Sequence, residues 1–152
     1  MLFQKPNEFK SKLFDEKSFY RQFTEDLKYC EREVIIESPY ITSSRMDLLY
    51  PVLTDLLTRK IKIHIITRDP SEHDELIRHQ ATNEILKCTE LGIKITLLKG
   101  NHHRKLIIID RSILWEGSLN ALSNSNSLEI MRRIEGEKWA KEMINFIKLD
   151  TI

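Results

Sequence analysis

The stretch from His103 to Ser118, HRKLIIIDRSILWEGS, constrains the fold most. Two apolar runs, LIII and ILW, stand on either side of Asp110-Arg111-Ser112 and read as core strands joined by a tight turn. A pair of buried strands requires layers that cover them. The rest of the chain supplies those layers. Ser18 is placed to cap a helix through about Arg32, with Phe19, Phe23, Leu27 and Cys30 at three- and four-residue spacing. VIIES (34–38) is a short β-branched strand that Ser38-Pro39 ends. SRMDLLYPVLTDLLTRK has helical spacing, and Pro51 within it predicts a kink or a late helix start. IKIHIITRD (61–69) alternates as a strand. Asp69-Pro70-Ser71 opens a helix to about Leu91, closed by Gly92. IKITLLKG (93–100) and LEIMRRIEG (128–136) are further strands, and EKWAKEMINFIKL is a final amphipathic helix. The order β-α-β-α-β-β-β-α predicts an α/β fold, with a mixed parallel and antiparallel sheet flanked by helices on both faces. Residues 1–15 are polar with scattered Phe3, Phe9 and Phe14, and read as a loosely docked arm ahead of one domain at 16–152.

Length and charge narrow the function classes. A chain of 152 residues fits one domain with a sizeable core. Its net charge of +1 requires any affinity for nucleic acid to come from a local patch. Lys99 to Arg111 holds such a patch, with four cations against one acid. Cys30 and Cys88 lie far apart without zinc-ligand spacing, and a reduced, cytoplasmic setting is the default. The N-terminus lacks a signal-peptide core, and no run reaches membrane-spanning length, so no membrane insertion is expected.

The chemistry concentrates in His103-x-Lys105-x4-Asp110-x6-Gly117-Ser118-x-Asn120. Side chains two apart on a strand share a face, so His103 pairs with Lys105 and Ser118 with Asn120. A tight hairpin brings both pairs together. Imidazole, ammonium, hydroxyl and carboxamide then converge on a volume suited to a phosphodiester. A neutral imidazole nitrogen is a nucleophile toward phosphorus. Lys105 and Asn120 can hold the non-bridging oxygens, with Ser118 donating beside them. A second imidazole would serve as general acid. This logic calls for no metal and no cofactor.

On these residues the chain resembles the phospholipase D superfamily, whose HKD signature it carries once, as do that superfamily's single-motif bacterial endonucleases. VIIESPYIT resembles the first strand and loop of such domains, and LEIMRRI the later strand bearing an acid, placed at Glu129. The resemblance implies a phospholipase D-like fold and a homodimer with both His103 residues in one site, one as nucleophile and the other as general acid. It implies that Glu129 accepts a hydrogen bond from a histidine Nδ1. Asp110 completes the motif, but its strand parity is opposite to that of His103, and a structural place at the turn or an indirect link to a histidine is expected.

Neighbouring residues are weighed in the same way. His102 and Arg104 should face away from His103; Arg104 is either solvated or touches a nucleic-acid backbone. Ser38 and Tyr40 follow a strand's C-terminal end, where α/β ligand sites lie, and are candidates to line the site. Arg133, beside Glu129, is a candidate phosphate contact. His64, His73 and His79 are expected to be ordinary half-exposed or surface residues, and Trp115 and Trp139 core or interface ones. The leading expectation is a nuclease acting on DNA rather than RNA, alone or as a module of a larger DNA-processing protein. The alternatives are a phospholipid phosphodiesterase or transphosphatidylase, and a catalytically idle nucleic-acid-binding module.

Overall fold

The computed structural model describes residues 9–152. The elements are β1 (Lys10–Asp15), α1 (Phe19–Lys28), β2 (Glu33–Glu37), α2 (Ser43–Thr58), β3 (Lys62–Arg68), α3 (Glu75–Glu90), β4 (Lys94–Leu98), β5 (Leu106–Ile109), β6 (Ile113–Gly117), β7 (Ile130–Glu135) and α4 (Glu137–Phe146). They build one seven-stranded sheet in the order β1-β7-β6-β5-β2-β3-β4. The strands joined through helices, β2-β3 and β3-β4, pair in parallel; β2-β5, β5-β6, β6-β7 and β1-β7 are antiparallel. The expected mixed sheet is the one found.

Helices cover both faces, and strand parity sorts the core between them. Val34, Ile36, Ile107, Ile109 and Trp115 pack with residues of α1, α2 and α3. Ile35, Leu106, Ile108 and Leu114 pack with Ala140 and Ile144 of α4. An unbroken apolar run such as LIII is the consequence, because alternate side chains enter different cores. Among the described residues no helix is long and apolar enough to cross a membrane.

Several local expectations change. Residues 10–15, read as part of a loose arm, form the edge strand β1 along β7; the earlier part of that arm lies outside the described residues. Edge pairing needs backbone groups rather than an apolar pattern, which is why a polar segment can supply it. Helix α1 ends at Lys28, short of Arg32. Helix α2 starts at Ser43 and continues through Pro51. Pro51 and Asp47, whose carbonyl would be its helical partner, are both exposed, so water can replace the missing bond. Before α3, a 3-10 turn spans Pro70–Glu72, with Asp69 Oδ1 accepting from Ser71 N at 2.9 Å. His73 follows that turn. It is buried rather than on the surface, and its Nε2 lies 3.2 Å from the Pro39 carbonyl oxygen.

Candidate active site

The hairpin turn begins with Asp110 and Arg111, both in the left-handed region with φ of 52° and 51°. Asp110 carries out a second task there. Its carboxylate accepts from the backbone N–H groups of Arg32, Glu31 and Glu33 at 2.7, 2.8 and 3.0 Å, tying the hairpin to the start of β2. Burial pushes this carboxyl up, but the backbone donors outweigh it and hold the pKa below the ordinary value. Asp110 therefore stands at the opposite end of β5 from His103 and supports the fold there.

The other end of the hairpin opens into a cleft of about 1160 Å³ that brings His103, Lys105, Ser118, Asn120 and Glu129 together. Strand β5 begins only at Leu106, so His103 and Lys105 lie in the loop before it. They still share a side: Lys105 Nζ is 2.9 Å from His103 Nδ1, 3.4 Å from Nε2 and 2.7 Å from the His103 carbonyl oxygen. Burial lowers the Lys105 pKa, and the charge of Glu129 opposes that shift. Glu129 immediately precedes β7; its backbone N–H donates to Glu16 at 3.0 Å. Among the described residues no carboxylate accepts from a His103 ring nitrogen within the protomer.

Gly117 has no alternative at its position, since a Cβ there would overlap the Ile130 carbonyl oxygen and the Met131 Cα. That close approach lets Ser118 Oγ accept from Ile130 N at 3.0 Å. Asn120 projects a buried Oδ1 that makes no hydrogen bond among the described residues. The loop behind it is pinned by Tyr20, whose hydroxyl contacts the carbonyl oxygens of Asn120, Ala121 and Ser123 at 3.0–3.3 Å. Sequence reasoning missed Tyr20, because it lies a hundred residues away on α1.

The remaining candidates divide. Tyr40 lines the cleft, with its ring 4.8 Å from that of His73. Ser38 does not line it: the side chain is fully buried, donating to Tyr40 O at 2.9 Å and accepting from Leu122 N at 3.3 Å. It ties the β2 loop to the loop after Asn120. Arg133 is also relocated. It lies opposite Trp115 in the sheet and turns to the α1 side, where it grips both oxygens of Asp26 at 2.8 Å. Trp115 Nε1 donates to the same carboxylate at 2.9 Å. Of the two adjacent arginines it is Arg132, opposite Glu116, that lines the cleft, and it bonds to Ser11 of β1. Arg104 lines the cleft with part of its side chain, but its Nε is committed to Glu37 at 2.8 Å. His102 points away from the cleft, as expected, and is buried beside Glu37. Among the described residues, no group of three or more His, Cys, Asp or Glu side chains is placed to hold a metal ion.

A family model described as "Cardiolipin synthase, PLD-like domain" matches residues 23–150. The chain belongs to the PLD-like domain family. This places it in the phospholipase D superfamily of phosphodiester chemistry, as the motif implied. None of the curated protein sequences matches significantly. Among solved structures the chain is similar to NucT from Helicobacter pylori, with TM-score 0.72, 21% identity and coverage of 93% of this chain and 94% of that one. It is similar to Nuc from Salmonella typhimurium, a phospholipase D family member, with TM-score 0.71, 17% identity and 91% of each chain covered. A third is phosphatidylserine synthase from Haemophilus influenzae Rd KW20, with TM-score 0.71, 14% identity, and 96% of this chain but 39% of that chain covered. At these identities the likeness is one of PLD-like fold.

Proposed function

We propose that this protein is a metal-independent phosphodiesterase that cleaves nucleic acid, DNA before RNA, through a phosphohistidine at His103 in a site shared by two subunits. The observation that carries the reading is the convergence of His103, Lys105, Ser118, Asn120 and Glu129 on one cleft. His103 Nε2 attacks phosphorus, the bond to the leaving alkoxide breaks, and the partner subunit's His103 gives that oxygen its proton. Water, deprotonated by that same imidazole, then displaces His103 and regenerates both groups. Attack requires the lone pair on Nε2 and the proton on Nδ1. Lys105, now 2.9 Å from Nδ1, swings to the phosphate oxygens, and Glu129 accepts from Nδ1 in its place. The Asn120 side chain holds the other non-bridging oxygen.

A similar fold in TrmBL2, an archaeal chromatin protein whose structure shows a mode of DNA binding, supports nucleic acid as the partner (TM-score 0.61, 14% identity). So do the cations that line the cleft, Arg104, Lys105 and Arg132; Lys99 and Arg111 of the cationic run pair with acids away from it. A second reading, phospholipid cleavage or transphosphatidylation, draws support from exposed apolar side chains at the cleft. Ile130 and Phe146 line its wall at 61% and 83% exposure, and Leu128 beside Glu129 is 90% exposed. Incubation in EDTA with labelled DNA, RNA and phosphatidylcholine side by side separates the readings. Cleavage of DNA, abolished in His103→Ala, is the expected result. Release of head group alone favours the lipid reading. Binding without cleavage of any substrate leaves the idle binding module.

A further inference from the structure

Glu37 is a buried carboxylate with no part in the chemistry above. It ends β2 at 1% exposure, and in the antiparallel register it stands opposite Leu106. Its parity is that of Ile35, which packs on the α4 core. Continued back from Leu106, the same parity belongs to Arg104 and His102, the residues on either side of His103. Both converge on one atom. Arg104 Nε donates to Glu37 Oε1 at 2.8 Å, and His102 Nε2 lies 3.1 Å from that oxygen, off the line of a good hydrogen bond. Glu37 Oε2 makes no hydrogen bond among the described residues.

A carboxylate buried to this degree is costly unless it is paired, and a sheet core of isoleucines gives no reason for one. The loop it meets carries no strand hydrogen bonds of its own between Asn101 and Lys105. Farther upstream that loop is held by Arg68, whose Nη2 donates to Asn101 Oδ1 at 2.7 Å, and by Glu72, which accepts from Gly100 N at 3.1 Å. At His103 itself Lys105 contacts the ring and the carbonyl oxygen, and the side chains on either side of it meet Glu37.

We infer that Glu37 is a positioning residue for His103: by binding the side chain at 104, with that at 102 packed against the same oxygen, it fixes the chain on both sides of His103 and so the direction from which the imidazole enters the cleft. The inference rests on His103 being the nucleophile for its catalytic consequence, although the clamp is a property of the chain whether or not it cleaves. Misplacing a reacting group by about 1 Å costs on the order of 100-fold in rate, so the clamp acts on turnover more than on binding.

The test uses the full chain labelled with nitrogen-15, in wild type, Glu37→Ala, Glu37→Gln and Arg104→Met. Two readouts are taken: the His103 ring-nitrogen signals, assigned by their loss in His103→Ala, and hydrolysis of bis(p-nitrophenyl) phosphate in EDTA. In Glu37→Ala the His103 signals split or broaden, and kcat falls roughly 100-fold while KM stays within about threefold. Glu37→Gln keeps an acceptor for Arg104 and returns kcat to within about tenfold of wild type, which a loss of packing alone would not do. Glu37→Ala combined with Arg104→Met costs about what the more damaging single change costs, since both break one contact. Unchanged His103 signals in Glu37→Ala overturn the inference, as does wild-type kcat. A wild-type protein that hydrolyses nothing defeats the proposed function, and the ring-nitrogen signals still decide the clamp. If Glu37→Ala does not fold, Arg104→Met, at a half-exposed side chain, carries the same expectation and the same overturning result.

Discussion

Lys105 Nζ lies 2.9 Å from Nδ1 of His103 and 2.7 Å from the same residue's carbonyl oxygen, so one ammonium holds the ring and backbone of His103 together. The contact accounts for two residues of the motif at once. In the proposed mechanism Lys105 orients the imidazole in the free protein and neutralises the phosphate when one arrives. Lys105→Met should lower kcat on DNA by roughly 100- to 1000-fold, as loss of one oxyanion partner does elsewhere. Arginine should not restore it, because a planar guanidinium does not reproduce a compact ammonium at this distance. Steady-state cleavage in EDTA checks both.

Asp110 gives a stability prediction. Asp110→Ala strands the backbone N–H groups of Glu31, Arg32 and Glu33, which the carboxylate now satisfies. A loss of about 3 kcal/mol is expected in urea unfolding, with no shift in KM where the fold persists. Because the folded pKa lies below the unfolded value, this stabilisation is present above the unfolded pKa and is lost as pH falls through the folded one. The gap between Asp110→Ala and wild type should therefore shrink in acid.

Arg133 separates fold from chemistry. Arg133→Met leaves Asp26 buried without its bidentate partner, and about 3 kcal/mol should be lost, with kcat on DNA unchanged. A fall in kcat at a temperature where the variant remains folded would return Arg133 to the site.

His102 sets an acid limb. Burial, reinforced by the charges of Arg104, Lys105 and His103, pushes its pKa down to about 4. The unfolded chain takes up this proton near pH 6.5 and the folded chain does not, so stability falls as pH drops from 6.5 toward 4. Glu37, whose burial raises its own pKa, takes up a proton more readily folded than unfolded and so limits the loss. Melting curves of His102→Gln against wild type should converge as pH falls across this range. Parallel curves would show that His102 does not carry the limb.

The strands, the helical layers and the motif were legible because each rests on local periodicity and spacing. LIII and ILW could only be strands with both faces covered, and His103, Lys105, Ser118 and Asn120 follow from the hairpin between them. What escaped depends on pairings that sequence does not display. Strand β1 is held by backbone bonds to β7, and its polar residues carry no apolar signal. The exchange of Arg132 for Arg133 follows from register: opposite Trp115 an arginine enters the α1 side, and opposite Glu116 it enters the cleft. Ser38 looked like a site residue because it ends a strand, yet Leu122, 84 residues on, claims its hydroxyl. Glu37 stood within VIIES as an acid in an apolar strand, a signal whose meaning appears only once His102 and Arg104 are placed beside it.

The central claim is that His103 becomes covalently phosphorylated, and trapping that adduct tests it most directly. Wild-type protein is mixed in EDTA with DNA radiolabelled at its phosphodiester bonds and quenched in denaturant within the first turnover. The account predicts label on the protein that survives base, is lost in acid, maps to His103 and is absent from His103→Ala. DNA cleavage with no protein-bound label, or with label intact in His103→Ala, would contradict it.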